Sequence, residues 1–387
     1  MYINANDTIG TSDSTTINNA IKQAKLTNIN RVLIPKENKR TSSDIWVIDE
    51  VISLPSNLEI LIDGAHLVLA DDTFINMFAT ENYIAGKIFD VENITIHGQN
   101  GALLDGGKYN GLSEFNSCKD GNPHISCNTL MMFCHTNNLS VTNLKIRNQR
   151  WWAITNMFVS HSEFKNIDFK ADLSRIDENG VHYPDELPRS AHEIYVRNAD
   201  GIDLRLGCHH IVIEDITGFT EDDTIALTAV CGTLLPPWLT TDKCTDICDV
   251  VIKNISSDAY ITSNVRLLAE EGYKIHDIFI DGVADTRTNE HYCSKATVRI
   301  GDVLYGQKTS VLGDTYNITV KNITSKARVG VTVCKGLVDS VIENINYCGD
   351  GIPFGVLKCG DLQNVTLRNI NSICDNNAIY DDIFTLK

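Results

Sequence analysis

Asp200, Asp222 and Asp223 are the residues of this sequence whose type and spacing could do chemistry together. The Asp222-Asp223 pair begins twenty-two residues after Asp200, close to the shortest repeat found elsewhere in the chain. In a chain coiled into stacked rungs, that offset lays Asp222 over Asp200 at the ~4.7–4.9 Å spacing of neighbouring strands. Three carboxyl groups then share one patch. Mutual repulsion raises at least one pKa and leaves another group ionised. A proton donor and a base in one place are what cleavage of a glycosidic bond requires.

A repeat supplies the coils. One phrase recurs, an alternating β-branched run, then Asn, Asp or Gly, then Ile, Leu or Val, as in Val212-Ile-Glu-Asp-Ile, Val251-Ile-Lys-Asn-Ile and Thr319-Val-Lys-Asn-Ile. Its fourth residue falls at positions 143, 166, 215, 254, 282, 322, 344 and 369. The separations are 23, 49, 39, 28, 40, 22 and 25, so the short ones fit one coil and the long ones two coils or a coil with a loop. Short strands at this period with Asn at the corner indicate a solenoid. Asn tolerates a left-handed bend, and stacked Asn side chains can bond along the axis. The expected fold is all-β, a right-handed parallel β-helix forming one domain over residues 1–387. Ser12 ahead of Ile17, Ala20, Ile21 and Ala24 predicts an N-capped amphipathic helix over 13–26, suited to covering the first rung. Segments of about 105–128, 172–193 and 232–246 have little strand character and are expected to loop out and wall a cleft.

Composition narrows the partners. The net charge is −17 with no Lys/Arg block, which argues against nucleic acid or an anionic membrane. No run of about eighteen apolar residues is present. The beginning of the sequence lacks the pattern of a signal peptide, so a cytoplasmic location is expected. The 12 cysteines then read as reduced thiols, buried ones for the most part. Cys244-x-x-x-Cys248 has loose spacing and no second close pair, so neither a metal nor a cofactor is expected. Sequons such as Asn93-Ile-Thr and Asn322-Ile-Thr read as repeat text.

The block from Asn198-Ala-Asp-Gly-Ile-Asp through Cys208 to Glu221-Asp-Asp-Thr-Ile-Ala, with Val298-Arg-Ile-Gly further on, resembles the core of the polygalacturonase family, glycoside hydrolase family 28. The opening is similar to the wider pectate-lyase-like superfamily. The resemblance implies an inverting glycosidase. Asp222 would protonate the leaving oxygen, Asp200 and Asp223 would activate water, and Arg299 would hold substrate. The departures are Ala199 for Thr, Glu221 for Gly, and Gly301 for Lys. The family's Gly-His-Gly motif is absent, and Thr262–Arg266 is the corresponding stretch. A substrate other than plain polygalacturonate fits these departures.

Other candidates surround the trio. Asn198 would support Asp200, and Glu221 adds a further carboxylate. His209 and His210 open a strand, so one of them could reach the cleft in place of the motif histidine. Arg205 and Arg266 could grip a substrate carboxylate in place of the missing lysine. His192 and Glu193 could line the site, and Trp151, Trp152 and Trp238 are buried anchors or sugar platforms. Asp203, three residues from Asp200, is expected on the opposite face. The expected partner is an oligosaccharide, uronic-acid-containing ones included, and a homo-oligomer is compatible. Competing readings are another β-helix carbohydrate enzyme (a lyase, fructotransferase or epimerase) or a non-catalytic, tailspike-like binder. A lyase would need calcium on the carboxylates.

Overall fold

The computed structural model describes residues 1–71, 73–107, 125–149, 151–171, 175–176, 182–183, 199–232, 234–260, 262–287, 296–301, 308–348 and 354–375. Contacts gather into two compact units, Met1–Ala199 and Asp200–Lys387, each coiled as a right-handed parallel β-helix.

In the first unit α1 (Asp13–Leu26) closes the end of the coil. The Ser12 hydroxyl accepts from the Thr15 N–H, and the Thr15 hydroxyl accepts from the Ser12 N–H, so two orphan donors are satisfied reciprocally. Ile17, Ala20, Ile21 and Ala24 are buried, as their spacing requires. Asp13 in the first turn is fully buried yet well partnered. It accepts from the Val47 N–H at 2.8 Å and pairs with Arg40 at 2.7 Å. Behind the helix, Val32, Ile60, Ile96, Val141 and Phe164 stack in register as one apolar column. In the 172–193 segment, Arg175–Ile176 pairs antiparallel with His182–Tyr183. Residues 108–124 lie outside the described residues.

The second unit has two ladders. Its long strands are His209–Thr220, Ile247–Ala259, Ile275–Asp285, Thr315–Ser325, Leu337–Tyr347 and Leu362–Ile370. Its short strands are Asp200–Leu204, Ile225–Ala229, Ser263–Ala269, Ala296–Ile300, Val329–Val333 and Phe354–Lys358. Ile202, Ile225, Val265, Val298, Val331 and Val356 form an inward column of the short ladder. Between the Ile225 and Ser263 rungs, residues 234–246 leave the coil as turns and a short 3-10 helix at Pro236–Trp238.

The corners follow from local chemistry. Asn143, Asn166, Asp215, Asn254, Gly282, Asn322, Asn344 and Asn369 all have φ between 52° and 77°. Asn and Asp accept this left-handed bend more readily than other side chains. Their amides bond along the axis, Asn344 Nδ2 to Asn322 Oδ1 at 3.0 Å and Asn369 Nδ2 to Asn344 Oδ1 at 2.8 Å. The sequon asparagines Asn93, Asn254, Asn317 and Asn322 are therefore corner residues.

Candidate functional site

The site lies on the outward face of the short ladder. Ile202 and Leu204 turn inward, so Asp203 between them turns outward, in register with Ala226, Arg266 and Arg299 on successive rungs. Asp203 was expected to face away from Asp200, yet the two carboxyls share a hydrogen bond. The sequence signal for Asp203 was available, since its neighbours are both core residues.

The trio is assembled from the start of the strand Asp200–Leu204 and the turn before Ile225–Ala229. The Gly201 N–H donates to the Asp223 carbonyl at 3.0 Å, and the Asp223 N–H donates to Asp200 Oδ1 at 3.1 Å. The coil therefore adds 23 residues, and Asp223, not Asp222, is one rung above Asp200. Beneath the turn a buried polar chain runs from Thr220 through Thr224 to Ser257 in oxygen–oxygen steps of 3.0 Å, and Asn264 Nδ2 donates to Ser257 Oγ at 2.9 Å. The Thr220 hydroxyl also donates to the Asp222 carbonyl at 3.0 Å, which fixes the Glu221–Asp222 bend.

An oxygen from each of Asp200, Asp222 and Asp223 lies within 4.8 Å of the others. Asp223 is held on both carboxyl oxygens. Its Oδ1 meets the Thr262 hydroxyl at 2.5 Å and the Ser263 N–H at 3.1 Å, and its Oδ2 pairs with Arg266 at 3.2 Å. Thr262 also bonds Asp222 Oδ1. One hydroxyl has one hydrogen, so two short bonds to two carboxyls place a proton on one of those carboxyls. Close carboxylates can also hold a hard cation. Here donors and a guanidinium already meet both oxygens of Asp223, and the set fits proton chemistry better.

Electrostatics point the same way. Asp200, Asp203, Glu221, Asp222, Asp223, Arg205, Arg266 and Arg299 are all at least nine-tenths buried. Burial raises Asp200 well above the usual carboxyl range, with Asp203, Asp222 and Asp223 adding to it and Arg266 opposing. Burial likewise raises Asp203 and lifts Asp223 to about 6, the latter against Arg266. Arg205 falls to about 10 through burial, partly offset by Asp203.

Some predicted residues are elsewhere. His209 and His210 start the long ladder, 2.9 Å apart through their Nδ1 atoms, and His210 is 3.6 Å from Asp249. His210 has φ 55° and shares its corner column with Asp249, Asp277, Asn317, Asp339 and Asn364, all with positive φ. Backbone geometry places it there, and the structure does not bring it to the trio. Arg205 and Arg266 are buried beside the aspartates, not exposed. Trp151 and Trp152 stack on each other at 3.8 Å and are buried, as is Trp238, so none of them is an exposed sugar platform. Asn198, His192 and Glu193 lie outside the described residues. Gly301 has φ 79°, and a Cβ there would sit 2.9 Å from the Lys335 backbone nitrogen, so the backbone disfavours any side chain. Thr262, which sequence reading passed over, ties two of the trio together.

The family model of glycosyl hydrolases family 28 matches residues 26–235, more than half of the chain. An exopolygalacturonase from Thermotoga maritima has the same fold, with TM-score 0.56 and 16% identity over 95% of this chain and 92% of that one. PfbA, a surface adhesin of Streptococcus pneumoniae, aligns with TM-score 0.54 and 12% identity over 96% and 93%. A family 28 exopolygalacturonase of Yersinia enterocolitica aligns with TM-score 0.51 and 13% identity over 94% and 78%. At these identities the likeness is one of fold alone. No curated protein matches the sequence. By its family match this chain belongs to glycosyl hydrolases family 28 and is a glycosidase.

Proposed function

We propose that the chain hydrolyses oligosaccharides, uronic-acid-containing fragments such as those of pectin among them, by acid/base catalysis on the Asp trio. Asp222 is the general acid. Asp200 and Asp223 together activate the attacking water, Asp223 taking its proton. Arg299, with Arg205 and Arg266, supplies positive charge for a substrate carboxylate or hydroxyl. The observation that carries this reading is the meeting of the three carboxyls within 4.8 Å, with one Thr262 hydroxyl shared by two of them. That arrangement holds a proton beside an ionised base, and Asp222, the most exposed of the trio, is the member placed to give its proton to a ligand.

Net inversion at the anomeric carbon is part of the proposal and follows the family pattern. The oxygen spacing is shorter than the ~6.5–9.5 Å between carboxyls usual for inverting pairs, so product configuration is the sharper test. A cytoplasmic site of action is also proposed. Cys231, Cys244, Cys248 and Cys348 stand as free thiols, Cys244 and Cys348 exposed, and this supports a reducing compartment.

The test is a screen of pectic, rhamnogalacturonan, fructan and aryl-glycoside oligomers, with and without EDTA, beside Asp222→Asn. Metal-independent release of a reducing end, lost in the variant and with inverted configuration by NMR, is the expected result. An unsaturated product absorbing in the ultraviolet, or loss of activity with EDTA, would reassign the site to a lyase. Sugar binding without release would make the trio a ligand site.

A further inference from the structure

We propose that the Thr262 hydroxyl is a proton relay, returning to Asp222 the proton that Asp223 takes from the attacking water. The inference rests on the hydrolytic reading of the trio. Its basis is geometric. Thr262 Oγ1 contacts Oδ1 of both Asp222 and Asp223, the latter at 2.5 Å, and Thr262 is itself only 7% exposed.

A single-displacement hydrolysis leaves its two carboxyls in the wrong states. The O–H bond of Asp222 breaks and its proton goes to the departing glycosidic oxygen. A water O–H bond also breaks, its proton goes to Asp223, and the water oxygen bonds the anomeric carbon. The next turnover needs the proton back on Asp222. Asp223 is poorly placed to lose it to solvent, being 1% exposed and enclosed by Arg266, the Ser263 N–H and Asp200. Thr262 offers the short route. The proton on Asp223 Oδ1 passes to Thr262 Oγ1 as the Thr262 hydroxyl proton passes to Asp222 Oδ1. One bond forms for each that breaks, and no outside reactant is needed. Thr262 opens the stretch that stands where the resembling family carries Gly-His-Gly, so this relay is a property of this chain's own residues.

The experiment compares Thr262→Val, which removes the hydroxyl at nearly constant shape, with Thr262→Ser, which keeps it. The probe is trigalacturonate, or the panel oligomer that the wild type cleaves. In Thr262→Val, steady-state kcat should fall roughly tenfold or more at unchanged KM, while the single-turnover rate with enzyme in excess stays within about twofold. Thr262→Ser should restore most of kcat. In the wild type, a D2O effect larger on steady-state turnover than on a single turnover is expected, which keeps the test open should the valine variant not fold. Unchanged kcat in Thr262→Val, an equal fall in single and multiple turnover, or a serine variant as slow as the valine one would overturn the relay. Loss of activity in Asp222→Asn alongside a normal Thr262→Val defeats the relay alone. Full activity in Asp222→Asn defeats the hydrolytic reading beneath it.

Discussion

The two ladders of the second unit are wound from the same coils yet obey different rules. Along the long strands exposure alternates, as in Ile247–Ala259 and Thr315–Ser325, with Ile252, Ile255, Ile318 and Val320 inside and Lys253, Ser256, Lys321 and Thr324 turned outward. On that face Lys321 lies 4.8 Å and Lys253 5.6 Å from the Phe279 ring centroid, charges kept at the surface over an apolar plate. Along the short strands from Asp200–Leu204 to Val329–Val333 every residue is buried, and the outward column still carries Asp203, Arg266 and Arg299. Charges taken from water in this way cost several kcal/mol each unless paired. The long ladder therefore holds the coil together, and the short ladder spends part of that stability on a preorganised set of charges. Burial of charge separates the two faces more sharply than strand content does.

The largest test of that division is chemical. Asp222→Asn should lower kcat by about 10²–10⁴-fold, the range of a lost general acid. Asp339→Asn, at a long-ladder corner whose φ of 48° asparagine also tolerates, should leave kcat unchanged. Equal losses in both would erase the distinction between the faces. Next in size is stability. The Arg266–Asp223 pair has side chains 9% and 1% exposed, and Arg266→Met strands a buried carboxyl, at a cost of about 3–5 kcal/mol in urea unfolding. Arg368 pairs with Glu343 on the long ladder at 60% exposure, and Arg368→Met should cost at most about 1 kcal/mol.

Asp223 in the site and Asp277 at a long-ladder corner should respond to pH with opposite signs. Burial lifts Asp223 to about 6, with Asp222 adding to it, so the folded chain keeps a proton that the unfolded chain has lost. That contribution is complete below an unfolded carboxyl pKa of about 4 and disappears as pH rises through about 6. Asp258, lifted to about 6 by burial and then Asp285, acts in the same window. Asp277 at a long-ladder corner is held below the usual range by His276, so its contribution is lost as pH falls. Urea midpoints should decline from about pH 4 to 6 in the wild type, less steeply in Asp223→Asn. A steeper decline in the variant would mean that Asp223 is ionised in the folded state throughout. Because a base must be ionised to act, kcat/KM should rise over the same interval.

What the sequence disclosed follows the same divide. The Asn corners were legible because a left-handed bend is a local demand that a few side chains meet. A second corner lies five residues before each of them, at 138, 161, 210, 249, 277, 317, 339 and 364. Alignment at that constant offset would have identified His210 as a corner residue instead of a cleft candidate. The trio was legible because its members are close in sequence, although the rung assignment was off by one. The turn between Thr220 and Thr224 decides that register, and the hydroxyl network holding it is a tertiary feature. Thr262 was not legible. It follows Asp222 by 40 residues, across the 234–246 excursion, and a threonine carries no motif. The buried state of Arg205 and Arg266 was equally hidden, because an outward position in a strand is usually a wet one.

The smallest effects lie at the corners. Asn322 accepts φ 57° and bonds both ways, donating to Asp281 at 2.7 Å and accepting from Asn344 at 3.0 Å. Asn322→Ala keeps the strained φ and loses the amide, so a cost of about 1–2 kcal/mol is expected. Gly282 occupies the same column with φ 77°, the one corner of those eight without a side chain. A Cβ there would meet Asn254 Oδ1 at 3.5 Å, an ordinary contact, so the Cβ itself has room. Gly282→Asn restricts the unfolded chain, and asparagine tolerates the bend, which should add about 0.4–1 kcal/mol of stability. Activity should stay unchanged, since the site is on the other ladder. A loss of stability would mean that the ladder of amides does not tolerate a further member at this rung, and that the long face is less uniform than its repeat implies.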